Sequence, residues 1–162
     1  MVSGPILIAY DGSEASAHAV RESGALLGGR QAVVVVVWEA DAAYQVSAVA
    51  MGGFTPAPVT VDVRTAVERE HALYEGAQQT AQQGAELARE AGFDAQPLVV
   101  ADELTVPDTI VRVADERDAQ AIVVGASGRS GLSELLLGST SRGVIKRATR
   151  PVVVVREVAG RD

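Results

Sequence analysis

The stretch AVVVVVW at Ala32–Trp38 contains five consecutive valines. β-Branched side chains lose rotamer freedom in a helix and pack well on a pleated sheet, so the stretch predicts a strand. A strand without polar side chains on either face has no face that suits exposure to water. This pattern favours a strand that is buried on both faces, as in the middle of a parallel sheet. Ala32–Trp38 therefore predicts an α/β fold.

Four further apolar runs predict strands, and a helical segment follows each of the first four strands. The other strands are expected at Ile6–Tyr10, Gln96–Ala101, Ala121–Gly125 and Pro151–Val155. The helices are expected at Ser13–Leu27, Ala66–Ala91, Val106–Arg117 and Ser139–Ala148. Strands that alternate with helices, joined by right-handed crossovers, predict a doubly wound parallel sheet of five strands in the order 3-2-1-4-5, with helices on both faces.

Two segments between the second and third strands have distinct patterns. Residues from about Glu39 to Thr65 show weak periodicity and predict a long loop, a kind of segment that is often functional or mobile. In the helix that follows, from about Ala66 to Ala91, apolar residues recur at roughly helical spacing: Val67, Leu73, Tyr74, Ala77, Ala81 and Ala88. Gly76 and Gly84 are expected to weaken this helix locally.

Length and composition limit the class of protein. A chain of 162 residues suits one domain, which we expect to span 1–162. The formal net charge of −7 argues against nucleic acid or an anionic membrane as a partner. The sequence contains no cysteine, and we interpret the short apolar N-terminal run as a strand, so a cytoplasmic location is expected. A phosphate ligand is compatible with this charge, because backbone N–H groups can hold an anion inside an acidic protein.

A glycine-rich loop follows the fourth strand and leads into the last helix. Gly125, Gly128 and Gly138 are separated glycines whose backbone N–H groups an anion can approach without hindrance from a Cβ atom. The helix that opens with Ser139, Thr140 and Ser141 adds unpaired N–H groups, a favourable dipole and hydroxyls. The pattern suits a polyphosphate. The alternative is that the glycines make an ordinary tight turn and that Ser139 is only an N-cap.

Asp11 follows the first strand and is expected beside this loop. In the predicted topology strands one and four are neighbours at the point where the winding reverses, where such sheets bind ligands. The carboxylate of Asp11 could accept hydrogen bonds from a ribose or adenine, or hold a metal beside phosphate. The alternative is that Asp11 only caps the first helix.

The loop resembles that of the universal stress protein family. Gly125, two residues, Gly128, nine residues, and Gly138-Ser139 match the family pattern, and the resemblance extends over essentially the whole chain. The ATP-binding branch of the family keeps these glycines, so the resemblance implies binding of an adenine nucleotide, ATP, with Mg²⁺ or Mn²⁺ as a candidate metal. It also implies a homodimer that pairs through the last strand at Val152–Val155.

The resemblance assigns roles to individual residues. Ala9 and Tyr10 would border the base, Asp11 would contact the ribose or base, and Val37 would contact adenine through its main chain. A larger group would surround the ribose and phosphates: Gly125, Gly128, Gly138, Ser139, Thr140 and Ser141. Tyr10 is larger than the small polar residue often found at that position, which would narrow the adenine side. Ser127 stands where a basic residue is often found, and Arg129 could serve the phosphates instead.

The motifs of efficient nucleotide enzymes are missing from the sequence. Lys146, the single lysine, lies late in the last helix, so there is no Walker A site. His18 and His71 are expected in helical segments that are distant from the loop in sequence, and neither is expected to act as a base. Three functions remain open: a nucleotide-dependent regulatory module, a slow ATPase with a divalent metal near Asp11 and Ser139, and a partner-binding stress protein whose loop merely closes the fold.

Overall fold

In the part of the chain that the structure describes, five strands alternate with four helices, as the sequence predicts. The computed structural model describes residues 4–40, 63–102, 104–127 and 137–157. The strands are β1 (Ile6–Ala9), β2 (Gln31–Trp38), β3 (Asp94–Ala101), β4 (Ala121–Gly125) and β5 (Val152–Val155). The helices are α1 (Glu14–Leu27), α2 (Val63–Glu90), α3 (Val106–Glu116) and α4 (Ser139–Arg147).

The strands form one parallel sheet in the order β3-β2-β1-β4-β5. The predicted doubly wound topology is therefore confirmed, including the adjacency of strands one and four. The valine-rich strand β2 lies between β1 and β3, and Val34 is completely buried. Such a position accounts for a strand without a polar face, because helices or loops cover both of its sides.

Helices cover the sheet on both faces, and alternate strand residues point into two separate cores. Ile6 and Ile8 pack with α1 and α2 on one face, whereas Leu7 packs with α3 and α4 on the other. This alternation is the two-residue period of a strand. The centre of the domain is therefore a sheet that is buried on both sides and whose carboxyl ends share one edge.

Helix α2 differs from the prediction in its first half. It begins at Val63, so the last positions of the predicted loop Glu39–Thr65 are helical, and residues 41–62 lie outside the described part of the chain. Its buried residues begin only at Ala77, while Val67 is 56% and Tyr74 38% exposed. A helix of 28 residues is about 42 Å long, which exceeds the reach of an eight-residue strand. The first half of α2 therefore extends past the carboxyl edge of the sheet.

The remaining apolar positions at helical spacing in α2 divide in the same way. Leu73 is exposed, whereas Ala77, Ala81 and Ala88 are buried against the sheet. The apolar positions that recur along α2 are thus buried from Ala77 onward and exposed before it. Gly84, which was expected only to weaken the helix, is also buried.

Helix α4 packs closely on α3. A Cβ atom at Gly143 would stand 2.5 Å from Cγ of Pro107, so only glycine allows this approach. The Arg147 guanidinium lies 2.8 Å from the Asp108 carboxylate and joins the same two helices. Within the described residues, none of the helices is both long and apolar enough to cross a membrane.

The same substitution in two helices should have opposite effects on stability. We expect G143A to destabilise the protein by about 1–3 kcal/mol, because the new methyl group collides with a proline ring. At Gly76 no atom lies within 4 Å of an added Cβ, so G76A should stabilise by up to about 1 kcal/mol through helix propensity. Urea unfolding measures both. A G143A protein as stable as G76A would contradict the close packing of α3 and α4.

Candidate functional site

A crevice of about 730 Å³ opens at the carboxyl edge of the sheet, where β1 separates from its neighbours. Ligand pockets for small molecules commonly have volumes in this range. Nine of the eleven residues predicted to contact a nucleotide line it: Ala9, Tyr10, Asp11, Val37, Gly125, Gly138, Ser139, Thr140 and Ser141. Gly128 and Arg129 lie outside the described residues. The topology thus brings together segments that are more than 120 residues apart in sequence, from Ala9 to Ser141.

Asp11 occupies a tight turn between β1 and α1. Gly12 has a φ of +78°, which glycine adopts readily, and the Ser13 N–H donates to Asp11 Oδ1 at 2.9 Å. The helix cap is Ser13, whose Oγ accepts from the Ser16 N–H at 3.2 Å. Asp11 therefore stabilises the turn but is not the N-cap of α1. It also lines the crevice.

Tyr10 lies partly under α2. An added Cβ at Gly84 would be 2.6 Å from Cδ1 of Tyr10, so the ring occupies the space that glycine leaves open. Burial, and then the nearby Asp11 carboxylate, raise the pKa of the Tyr10 phenol above its ordinary value. The Tyr10 phenol therefore keeps its proton to a higher pH than a solvent-exposed tyrosine does, because its pKa is raised.

The backbone of Val37 faces the crevice because β1 ends early. The Val35 carbonyl accepts from the Tyr10 N–H at 3.0 Å, and the Trp38 carbonyl accepts from the Asp102 N–H at 2.9 Å. Backbone groups alternate along a strand, so the N–H and C=O of Val37 point to the β1 side, as those of Val35 do. The ladder between β1 and β2 ends with Ala9 opposite Val35. Val37 thus presents a donor and an acceptor at the open edge.

The two ends of the glycine-rich loop meet at the carboxyl end of β4. The Gly138 N–H donates to the Ala126 carbonyl at 2.7 Å. Gly138 is also the N-cap of α4 and supplies no side-chain hydrogen bond to the helix. A Cβ at Gly125 would come within 3.0 Å of the Ala15 carbonyl oxygen, so close packing on α1 explains glycine at that position.

The caps of α1, α3 and α4 differ at this edge of the sheet. Ser13 caps α1, and Thr105 caps α3 by accepting from the Asp108 N–H at 3.3 Å. Only α4, of these three helices, begins without a side-chain cap. Its first N–H groups and its dipole therefore point toward the crevice without a side-chain acceptor from the cap.

The charged groups that line the crevice in the described part of the chain are both acidic, Asp11 and Glu39. No histidine, lysine or arginine belongs to this described lining. His71 lies exposed on α2, 3.2 Å from Glu75. Acidic residues at the end of α3 are paired with a cation: Arg150 contacts Asp115 at 3.2 Å and Asp118 at 3.0 Å.

The sequence reasoning missed one wall of the crevice. It is formed by the first half of α2 and the end of β2: Trp38, Ala72, Leu73, Gly76, Ala77 and Thr80. The rings of Trp38 and Tyr74 pack at a centroid distance of 5.5 Å with a tilt of 59°. The position of Trp38 directly after the valine run, at the carboxyl end of a central strand, is the signal that could have placed it here.

Fold and crevice together define a class of protein: doubly wound α/β domains with a ligand site at the carboxyl edge of a parallel sheet. The model of the universal stress protein family matches residues 3–156. The chain belongs to the universal stress protein family.

Curated relatives agree with this assignment. Universal stress protein YxiE of Bacillus subtilis is 31% identical over 153 residues, which cover 93% of this chain and 97% of YxiE. Universal stress protein MJ0577 of Methanocaldococcus jannaschii is 34% identical over 68 residues, 41% of this chain and 40% of that protein. The match to MJ0577 in sequence therefore spans less than half of either chain.

Solved structures share the fold over the whole chain. The MJ0577 structure superimposes with a TM-score of 0.74 at 22% identity, covering 99% of this chain and all of that one. A universal stress protein of Archaeoglobus fulgidus in complex with dAMP has a TM-score of 0.60 at 23% identity, covering 96% of this chain and 100% of that one. A universal stress protein in complex with cAMP also has a TM-score of 0.60, at 20% identity, covering 96% and 98%.

The ionisation of Tyr10 should be visible in an alkaline titration. We expect its absorbance change at 295 nm to occur above the ordinary tyrosine pKa of 10.0, because burial and Asp11 disfavour the phenolate. The folded state then holds this proton more tightly than the unfolded state, so stability falls as the pH rises above about 10. Y10F should lack both effects. If the wild type differed from Y10F only by the absorbance change of one tyrosine that ionises at the ordinary pKa, the buried position of Tyr10 would be contradicted.

Proposed function

We propose that the crevice binds an adenine nucleotide, with ATP as the ligand, and that the protein is a nucleotide-dependent regulatory or sensing module of the cytoplasmic stress response. The observation that carries the proposal is the start of α4, which lies in the crevice without a side-chain cap. The phosphates would bind at Gly138, Ser139 and Thr140.

The phosphate position follows from the contrast between helix ends. Ser13 and Thr105 satisfy N–H groups at the starts of α1 and α3 with their own hydroxyl oxygens. At α4 the corresponding acceptors would be phosphate oxygens, which gain both hydrogen bonds and the favourable end of the helix dipole. A glycine at the cap position also leaves room for a bulky anion.

The base position follows from the backbone of Val37. Its N–H and C=O would pair with N1 and the N6 amino group of adenine. Guanine carries a hydrogen on N1 and an oxygen on C6, so it would place donor against donor and acceptor against acceptor. Ala9 offers a small side chain beside this edge, and Asp11 would accept a hydrogen bond from the ribose between base and phosphates.

The charges of the crevice imply a counterion for ATP. Asp11 and Glu39 add negative charge to a site that would hold a polyphosphate. The carboxylate of Asp11 and the hydroxyl of Ser139 are hard oxygen ligands that suit Mg²⁺ or Mn²⁺, together with phosphate oxygens. Arg129, in the glycine-rich loop, would add a positive charge. A divalent cation should therefore strengthen the binding of ATP more than that of AMP.

The comparisons support a nucleotide ligand. Two proteins with this fold are described in complex with dAMP and with cAMP, both adenine nucleotides. The spacing of Gly125, Gly128, Gly138 and Ser139 is that of the ATP-binding branch of the family. Efficient hydrolysis would require a positioned base and a charge stabiliser for the transition state. The described lining offers only the two carboxylates, so we favour a binding module over an ATPase.

A proline substitution can test the role of the backbone at the start of α4. Ser139 is the first residue of the helix, where proline is well tolerated, and Gly138 before it has φ −62° and ψ 163°, which suit a residue preceding proline. S139P removes the N–H and the hydroxyl, whereas S139A removes only the hydroxyl. We expect S139P to weaken ATP binding by roughly tenfold to a hundredfold, as for a lost hydrogen bond to a charged group.

Fluorescence of Trp38, the single tryptophan, reports on the crevice. Titrations of wild type, S139P and S139A with ATP, GTP and adenosine, with and without Mg²⁺, give the affinities. Adenosine binding should be similar in all three proteins, because it carries no phosphate. An absence of wild-type binding at millimolar ATP would overturn the proposal, and equal losses in S139P and S139A would assign the effect to the hydroxyl.

We also propose that two copies pair through β5. The outward backbone groups of this edge strand belong to Val152 and Val154, because the carbonyls of Pro151 and Val155 accept bonds from β4 and its continuation. The other edge, β3, is protected: Arg89 donates to the Ala95 carbonyl at 3.0 Å, and Pro97 has no N–H. The strand β5 consists of four half-buried valines and has neither a proline nor such a side-chain contact within the described residues, so it suits pairing with a second sheet edge.

The pairing can be tested at one N–H group. V154P removes an outward N–H and leaves the β4 ladder intact, so the variant should be monomeric in sedimentation experiments in which the wild type is dimeric. V153P removes an N–H that faces β4 and should lower the stability instead. A V154P protein that remains dimeric would place the interface elsewhere.

A further inference from the structure

Ser141 lies at the base of the glycine-rich loop, and its environment differs from that of a phosphate ligand. Its side chain is buried, with the residue 2% exposed. Its Oγ lies 3.1 Å from the Ala126 carbonyl oxygen and 3.0 Å from the Gly138 carbonyl oxygen. A hydroxyl has one hydrogen to donate, and here two carbonyl oxygens lie within hydrogen-bond distance to accept it. The Ser141 hydroxyl can then only accept a further hydrogen bond, and an ionised phosphate oxygen has no hydrogen to donate.

The Ala126 carbonyl is the point where the two ends of the loop are joined. It accepts both from the Gly138 N–H at 2.7 Å and from Ser141. The N–H of Ala126 in turn donates to the Val155 carbonyl at 2.8 Å, so this residue is held by the sheet. Ser141 therefore ties the first turn of α4 to a fixed part of the sheet.

The same arrangement recurs in the other units of the fold. Ser16 in the first turn of α1 accepts from the Asp11 N–H at 3.4 Å, and Thr109 in the first turn of α3 donates to Asp102 Oδ1 at 3.4 Å. Both residues are buried, and each partner directly follows the carboxyl end of a strand or lies within two residues of it. Buried hydroxyls thus dock helix starts on strand ends, also where the helix already has its own cap.

Resting on the nucleotide site proposed above, we propose that Ser141 is a positioning residue for phosphate binding and not a phosphate ligand. At α1 and α3 docking only joins helix to strand. At α4 the docking through Ser141 also fixes the direction of the uncapped N–H groups of Ser139 and Thr140, so that they are oriented before an anion binds. Loss of the hydroxyl lets the start of α4 move before any nucleotide arrives.

Two measurements on S141A separate this role from the alternatives. In the nucleotide-free protein, amide exchange of the Gly138 N–H should become about three- to tenfold faster, as expected for the loss of a supporting hydrogen bond. Affinity for ATP, from Trp38 fluorescence, should fall by a similar factor, while adenosine affinity stays within about twofold. S141T, which keeps the hydroxyl, should restore both values.

Ser23 provides the matched control. It is a fully buried serine in α1 whose hydroxyl donates to the Val20 carbonyl at 3.0 Å, away from the crevice lining. S23A removes the same group and should leave Gly138 exchange and ATP affinity unchanged.

Each other combination of results overturns the positioning role. Faster Gly138 exchange in S141A with unchanged ATP affinity would make Ser141 a structural residue only. Weaker ATP binding with unchanged exchange in the free protein would make it a direct ligand. A wild-type protein that binds no ATP would overturn the proposed function itself, and this outcome is visible before any variant is compared.

Discussion

The hydrogen-bond ladder between β1 and β2 ends with Ala9 opposite Val35, while β2 continues beside β3 to Trp38. The crevice depends on this early end of the central strand. Beyond it the chain turns away through Asp11 and Gly12 into α1, and a gap remains between the extended strand β2 and the end of β4. Within the described residues, peptide groups on the rim of that gap, such as those of Val37, lack the strand neighbour that a longer β1 would supply.

Main-chain groups form part of the polar surface of this rim. Val37 presents a donor and an acceptor in fixed orientation, and the start of α4 presents donors without a hydrogen bond to a side chain at the N-cap. Such groups carry no net charge and cost little to hold in place, because the sheet and the helix already order them. They explain how an acidic chain, with Asp11 and Glu39 in the described lining, can still suit an anionic ligand.

The sheet and its order could be predicted because the valines of β2 and the alternation of elements depend on local chemistry. The meeting of Asp11 with the segment around Ser139 was predictable for the same reason, since strand order alone brings their ends together. The wall formed by α2 was not. Helical periodicity identifies the apolar face of Val67 and Leu73, but it does not tell where the sheet beneath that face ends. Likewise, the close approach of Gly84 to the Tyr10 ring joins segments that are distant in sequence, and no local sequence pattern predicts it.

The two edges of the sheet differ in their chemistry, and this difference limits how far the protein can assemble. A chain with two open edges can add neighbours on both sides and grow into a ribbon. Among the residues that the structure describes, Pro97 and the Arg89 contact obstruct edge-to-edge pairing at β3, whereas the strand Val152–Val155 at the other edge carries neither a proline nor such a contact. Two copies related by a twofold axis would use both available edges and leave none for a third. Pairing of two copies at β5, as proposed above, would therefore end with the dimer, because the obstructed β3 edges would disfavour the addition of further copies.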